Sequence, residues 1–222
     1  MSDAINAISR SLNADVEGLN AISRNVANIN TPGYQSVRGV PDFATASGVR
    51  GALQLSDGPL KETQRGLDLA LRGNGFFVVQ NGEQRVLTRS GSFVRSADGT
   101  LVTRDGMPVL TDSGPLTLPQ GDIRVERDGA VWSGDQSLGR LLLVDVADAG
   151  RLVPAAGGYR YDGALQDWNG SVEQGAVEQS NVDAAEQTLQ LIELTRHAES
   201  VQRVISLYDK VLDVGINRVG DN

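Results

Sequence analysis

The chain has 222 residues, a formal net charge of −8 and no cysteine. The missing cysteines exclude disulfides, thiolate nucleophiles and zinc–thiolate sites. The acidic balance argues against nucleic acid or anionic lipid as a partner, because no basic stripe is available to neutralise phosphates.

With 40% apolar residues, only 5% aromatics and 26 glycines, the composition favours a core threaded by many turns over a purely helical protein. The N-terminus, MSDAINAISRSLN, lacks a cationic start followed by an apolar block, so no secretory signal peptide is expected. No apolar run approaches the roughly 18 residues of a membrane span.

In the first thirty residues Ile5, Ile8, Leu12, Leu19, Ile22, Val26 and Ile29 follow steps of three and four, with Asp15 the only break. The pentapeptide NAISR occurs at 6–10 and again at 20–24, two heptads apart, so both copies face the same way. This predicts a helix with one long apolar seam. It stops at VANINTPGY. Pro32 disfavours helical geometry at Thr31, Gly33 permits a sharp change of direction, and Tyr34 supplies an anchor, so Thr31 to Tyr34 read as a hinge. Asn25 and Asn28 read as helix-end caps. Residues 38–56 show no period and read as a linker or loop.

The middle follows a different pattern. Phe76-Phe77-Val78-Val79, then Asn81-Gly82, then Val86-Leu87-Thr88 predicts a hairpin with a type I′ turn. Asp98-Gly99, Asp105-Gly106 and Asp128-Gly129 punctuate further short β-prone pieces, and Leu141 to Val146 reads as a more buried strand. Many short strands separated by turn signals indicate an all-β region. Gly73-Asn-Gly-Phe-Phe opens a strand and lacks a following Gly-Lys-Ser/Thr, so it is a turn and not a phosphate loop. Trp132 and Trp168 are assigned to the β core or its edge.

At the far end, Leu191, Leu194, Ala198, Val201, Ile205, Tyr208, Leu212 and Val219 share one heptad register, with Gly215 in an expected apolar slot. Ser180 or Asn181 is the expected N-cap, with Asp183 and Glu186 near the positive end of the helix dipole. His197 is the only histidine, and no serine or cysteine constellation points to it. It is assigned to a polar face or interface. The aspartates before glycine are explained by turn chemistry, and no loop matches a calcium pattern. No catalytic, cofactor-binding or metal-binding residue is therefore expected, and no cofactor.

Several stretches resemble the bacterial flagellar axial proteins, the rod and hook components. Asn25-Val-Ala-Asn28 with Thr31-Pro32-Gly33-Tyr34 looks like their N-terminal signature. Leu67-Asp-Leu-Ala-Leu71 with Gly73-Asn-Gly-Phe-Phe77 resembles the start of their β domain, and Leu87-Thr-Arg-Ser-Gly-Ser-Phe93 with Asp98-Gly99 their next hairpin region. Glu178-Gln-Ser-Asn-Val-Asp183 resembles the approach to their C-terminal helix. Gly58-Pro-Leu-Lys61 leading into Arg65 to Ala70, and Leu138 to Leu141, look most like proximal-rod members. Leu194-Thr-Arg-His-Ala-Glu-Ser200 lacks the Gln-Arg-Ala-Tyr segment common in distal-rod and hook relatives.

The resemblance implies a non-enzymatic rod subunit of the flagellar basal body, stacking helically into a hollow shaft that carries torque from motor to hook. A distal-rod or hook subunit is the alternative; a polysaccharide-active enzyme or a surface adhesin fits less well. Implied partners are copies of itself, other proximal and distal rod subunits, the surrounding ring proteins and the type III export apparatus. Nucleic acid and direct membrane insertion are not expected. The implied location is the rod in the periplasmic space, reached without a cleaved signal peptide.

The expected fold class is α+β: long terminal helices pairing as a coiled-coil-like inner domain, with a central all-β domain. The expected division is 1–35 (N-terminal helix of the inner, assembly domain), 36–66 (linker), 67–177 (β domain) and 178–222 (C-terminal helix of the inner domain). The expected assembly interface comprises Ile5, Ile8, Leu12, Leu19, Ile22, Asn25, Val26, Asn28, Ile29, Leu191, Leu194, Val201, Ile205, Tyr208 and Leu212.

Overall fold

The computed structural model describes residues 2–41 and 49–220. The chain divides into two compact units. One gathers both chain ends, Met1–Ala27 and Asp183–Asn222, together with Val37–Ala52; the other comprises Asn28–Ser36 and Leu53–Val182.

In the first unit helix α1 (Ser2–Ala27) lies beside helix α2 (Ala184–Gly220). Asp15 meets His197, Gly18 faces Leu194 and Asn25 bonds Gln187. Numbers rise on one helix as they fall on the other, so the pair is antiparallel. The face of α1 nearest its partner runs through Ile8, Ser11, Ala14, Gly18, Ala21, Ile22 and Asn25, all buried or half-buried. These residues are mostly small. A Cβ on Gly18 would already touch Leu194 Cδ1 at 3.0 Å.

Helix α2 starts two residues later than an Asn181 cap, and three later than a Ser180 cap, would place it. Asp183 is the cap: its Oδ1 accepts from the backbone N–H of Ala185 at 2.7 Å and of Glu186 at 3.2 Å, which satisfies two otherwise unpaired donors. Part of the aperiodic 38–56 stretch is ordered as a two-stranded ribbon, Val37–Pro41 with Val49–Leu53. Asn25 ties that ribbon to the helices. Its side-chain N–H donates to Val37 O and Gln187 Oε1, each at 2.9 Å, and its Oδ1 accepts from Val37 N at 2.8 Å.

The expected fold class needs correcting here. Among the described residues there are two α-helices, one towards each end, and a largely β region between them, with no coiled-coil-like inner domain. Ile5, Leu12, Leu19, Val26 and Leu191, all assigned to the paired seam, are exposed. The physical reason lies in the contact face. Knobs-into-holes packing needs large apolar side chains at both seam positions, whereas α1 presents Gly18, Ala21, Asn25 and a carboxylate to its partner.

The second unit is built on a six-stranded antiparallel sheet in the order Leu152–Ala155, Gly158–Tyr161, Gln84–Thr88, Phe76–Asn81, Leu143–Val146, Leu165–Asp167. Small two- and three-stranded sheets pack around it. The run Phe76-Phe77-Val78-Val79 is explained by burial on both faces. Phe76 and Val78 enter one apolar cluster with Leu87, Leu110, Val144 and Tyr159; Phe77 and Val79 enter another with Leu69, Phe93, Leu101 and Leu141. Successive strand side chains point to opposite faces, so a strand covered on both sides reads as a continuous apolar run. Phe77 and Phe93 stack edge to face at 5.1 Å.

The hairpin after Val79 forms as expected, but its turn differs. Asn81 pairs with Gln84, leaving Gly82 and Glu83 in the loop. Gly82 has φ +61° and Gln64 is the only non-glycine with positive φ among the described residues. Positive φ at the first loop position alone is the type II′ pattern, not type I′.

Candidate functional site

The first candidate site is the helix surface of the first unit. Ile5, Leu12, Val16, Leu19 and Val26 are exposed, between 37% and 55%. Their spacing of seven, four, three and seven places them on one stripe of α1, beside the face that meets α2. On α2 the exposed apolar residues Leu189, Ile192, Val204 and Leu207 likewise share one side of the helix.

The expected interface residues thus divide. Ile8, Leu194, Val201, Ile205 and Tyr208 are half-buried, and Ile22 and Asn25 are buried. Ile5, Leu12, Leu19, Val26 and Leu191 remain on the surface. Asn28 and Ile29 are half-buried and belong to the second unit, where Asn28 Oδ1 accepts from the Thr31 hydroxyl at 3.1 Å. The side chains of Leu212 and Val219 lie outside what the structure describes. Val16, Leu189, Ile192, Val204 and Leu207 escaped the sequence reading because each lies off the chosen heptad register. Val16 was findable, four residues after Leu12.

The second candidate site is a buried polar knot in the second unit, around the Thr31–Tyr34 motif. Gly33 has φ +69°, and a Cβ built there would collide with the backbone of Arg89 and Ser90. Only glycine fits. Its N–H donates to Glu178 O at 2.8 Å, and Asn181 N–H donates to Tyr34 O at 3.3 Å. The turn is thereby stitched to the chain just before α2.

Below it, the Glu178 carboxylate is fully buried and takes Arg89 Nη2 at 2.7 Å and Nε at 2.8 Å. Gln35 Nε2 and Gly58 N–H donate to its other oxygen at 3.2 and 3.0 Å. The remaining Arg89 donors reach Gly73 O, Gly75 O and Asp57 Oδ1. Burial pushes the Glu178 carboxyl up from its ordinary value, and the Arg89 charge and the Gly58 N–H oppose that rise. Every polar group here has a partner, which is the condition for burying an ion pair without leaving an uncompensated charge.

This knot shows no nucleophile–base geometry. It holds together five segments: 33–35, 57–58, 73–75, 89–90 and 178–181. Arg89, Glu178, Gln35 and Asp57 were not assigned roles from sequence, although Arg89 and Glu178 both fall inside stretches that carry the family resemblance, and Asn181 was expected as a helix cap and instead bonds Gln35, Gln54 and Ser56. His197 hydrogen-bonds Asp15 at 2.7 Å in the first unit.

Residues 70–133 match the flagellar hook protein FlgE/F/G D1 domain, and residues 173–218 match the flagellar basal body rod FlgEFG protein C-terminal region. The chain is 32% identical to the flagellar basal-body rod protein FlgF of Caulobacter vibrioides, covering 91% of each chain. It is 30% identical to the FlgG rod protein of Agrobacterium fabrum, over 91% of this chain and 94% of that one. Against FlgF of Escherichia coli K12 it is 30% identical, over 93% and 92%. The chain therefore belongs to the flagellar basal-body rod proteins, a family of structural and non-enzymatic subunits, and within it is FlgF-like.

Proposed function

We propose that this rod subunit occupies the proximal rod and polymerises, with copies of itself and with other proximal and distal rod subunits, into a hollow drive shaft. The shaft lies in the periplasmic space and transmits torque from motor to hook. In this reading 1–35 and 178–222 supply the assembly contacts, 36–66 links them to the β region, and 67–177 forms the outer layer facing the ring proteins. The subunit reaches its site through the type III export apparatus. Assembly with other rod components at the basal body is common to the family.

The observation that carries the reading is the uncovered stripe Ile5, Leu12, Val16, Leu19 and Val26. Fully burying one such side chain contributes about 1.5–3 kcal/mol. Because these side chains are already about half covered, the five together offer on the order of 5 kcal/mol before the entropy of ordering is subtracted. That suits a helix whose apolar side is completed by its neighbours. The knot at Gly33, Arg89 and Glu178 gives the β region a fixed frame where both helical segments leave it, so load passes through covalent chain anchored by buried hydrogen bonds.

Deleting residues 1–27, which leaves the Asn28–Ser36 segment and its knot intact, tests the reading. The shortened chain is expected to fold in its β region, yet be missing from isolated basal bodies, with swimming lost. Its presence in rods would contradict the assignment.

A further inference from the structure

The repeat in α1 extends beyond the shared pentapeptide. Residues 4–12 and 18–26 agree in kind at seven of nine positions: Asn-Ala-Ile-Ser-Arg is identical, with Ile5 answering Leu19 and Leu12 answering Val26. Only Ala4 against Gly18 and Ser11 against Asn25 differ. An offset of two heptads turns both segments the same way, so apolar matching alone would give α2 two places to sit. The structure uses the second. Asp15–His197, Gly18–Leu194 and Asn25–Gln187 define one register, in which paired positions total 212.

The two differing residues of the second segment both carry contacts of that register. A Cβ at Gly18 would stand 3.0 Å from Leu194 Cδ1, and Ala4 in that place would bring one. Asn25 and Gln187 are 2% and 5% exposed and meet at 2.9 Å. The same Asn25 carboxamide donates to Val37 O and accepts from Val37 N. It thus uses two donors and an acceptor at once, whereas a serine hydroxyl has one donor. With Ser11 in that place, a buried carbonyl oxygen would go unpaired, which is costly.

We propose that Asn25, with Gly18 beside it, is the residue that selects the helix register. It decides which of two nearly equivalent α1 segments receives the start of α2 and the strand at Val37. A slip of 14 residues keeps the apolar contacts but strands buried amide groups, so one register wins by the difference in cost. The consequence for the shaft rests on the assembly reading. Register sets which exposed residues of α1 stand beside Val204 and Leu207 on α2, and a slip would displace one half of that surface by about 21 Å.

The chain contains no cysteine, so introduced thiol pairs report the register directly. Positions 14 and 198, both alanine, fall opposite each other in the observed register; 14 and 184, also alanine, would do so only after the slip. In the purified parent, Ala14→Cys/Ala198→Cys should form a disulfide under diamide at least tenfold faster than Ala14→Cys/Ala184→Cys. The latter pair lies about 21 Å apart along the axis, beyond the roughly 7 Å that a disulfide tolerates between Cα atoms. Ser11→Asn combined with Asn25→Ser keeps the composition and should reverse the order of the two rates, within one chain or as a cross-linked dimer. Exchanging Ala4 and Gly18 as well should complete the reversal.

Equal rates in the parent, or an unchanged order in both exchanged chains, would overturn the proposal, because the chain connection and not the carboxamide would then set the register. Loss of both bonds together with the helical circular dichroism would overturn it too, leaving Asn25 a role in stability alone. Each of these outcomes leaves the rod assignment standing. An exchanged chain that shifts register yet enters basal bodies normally would instead count against the assembly reading.

Discussion

Arg89 and Glu178, separated by 89 positions in sequence, meet at 2.7 Å with side chains 3% and 0% exposed. Removing one partner of a buried ion pair leaves an uncompensated charge and typically costs about 3–5 kcal/mol. Arg89→Met and Glu178→Leu should each lower the unfolding free energy of the β region, measured by denaturant titration, by that much. The double substitution should lose clearly less than the sum, and an additive result would mean that the two side chains do not act as a pair.

Gly33 is a sharper probe of the same knot. An alanine there meets both the left-handed backbone penalty and a collision with Arg89 and Ser90. We expect Gly33→Ala to cost about 2–4 kcal/mol and to abolish swimming. Gly82→Ala, at φ +61° with nothing within 4 Å of the new Cβ, should cost only about 1 kcal/mol. Thermal unfolding of the two variants side by side separates strain from collision.

Alkaline pH offers an independent reading of the core. Burial, followed by the nearby Tyr34, pushes the Tyr159 hydroxyl up to about 12, and a hydrogen bond with the Gln35 backbone pulls it part of the way back. The folded value lies above the unfolded value near 10, so the native state holds its proton longer. The stabilisation is therefore complete below pH 10 and is lost as pH rises through about 12. At 1.36 kcal/mol per unit the loss amounts to about 3 kcal/mol. Stability measured from pH 9 to 12 should fall, and Tyr159→Phe should flatten that slope. An unchanged slope would assign the titration to another group.

The sequence revealed elements better than it revealed partners. Phe76 to Val79 announced a strand because a continuous apolar run flanked by turn residues has few other solutions, and the glycine of Asn81-Gly82 marked the reversal correctly. The turn type was misjudged because Asn81 closes the ladder against Gln84, a register that no dipeptide statistic contains. The apolar series Ile5 to Ile29 located a helix but not what covers it. Periodicity reports which side of a helix is apolar, whereas the structure turns the Ile8–Asn25 edge to α2 and leaves Leu12 and Leu19 exposed. The Arg89–Glu178 contact was illegible. Long-range pairing depends on how the sheet brings two distant loops together, and local spacing carries no trace of it.

The central claim is that the uncovered α1 stripe is a contact between subunits. It is tested most directly by quantifying a Leu12→Gln/Leu19→Gln chain in purified basal bodies, alongside the thermal melt of the same chain in isolation. Both leucines are exposed in the subunit, at 37% and 48%. The melt should therefore shift little, within about 1 kcal/mol, while incorporation falls at least tenfold and swimming with it. Normal incorporation, or a collapse of the isolated subunit large enough to explain its absence, would contradict the account.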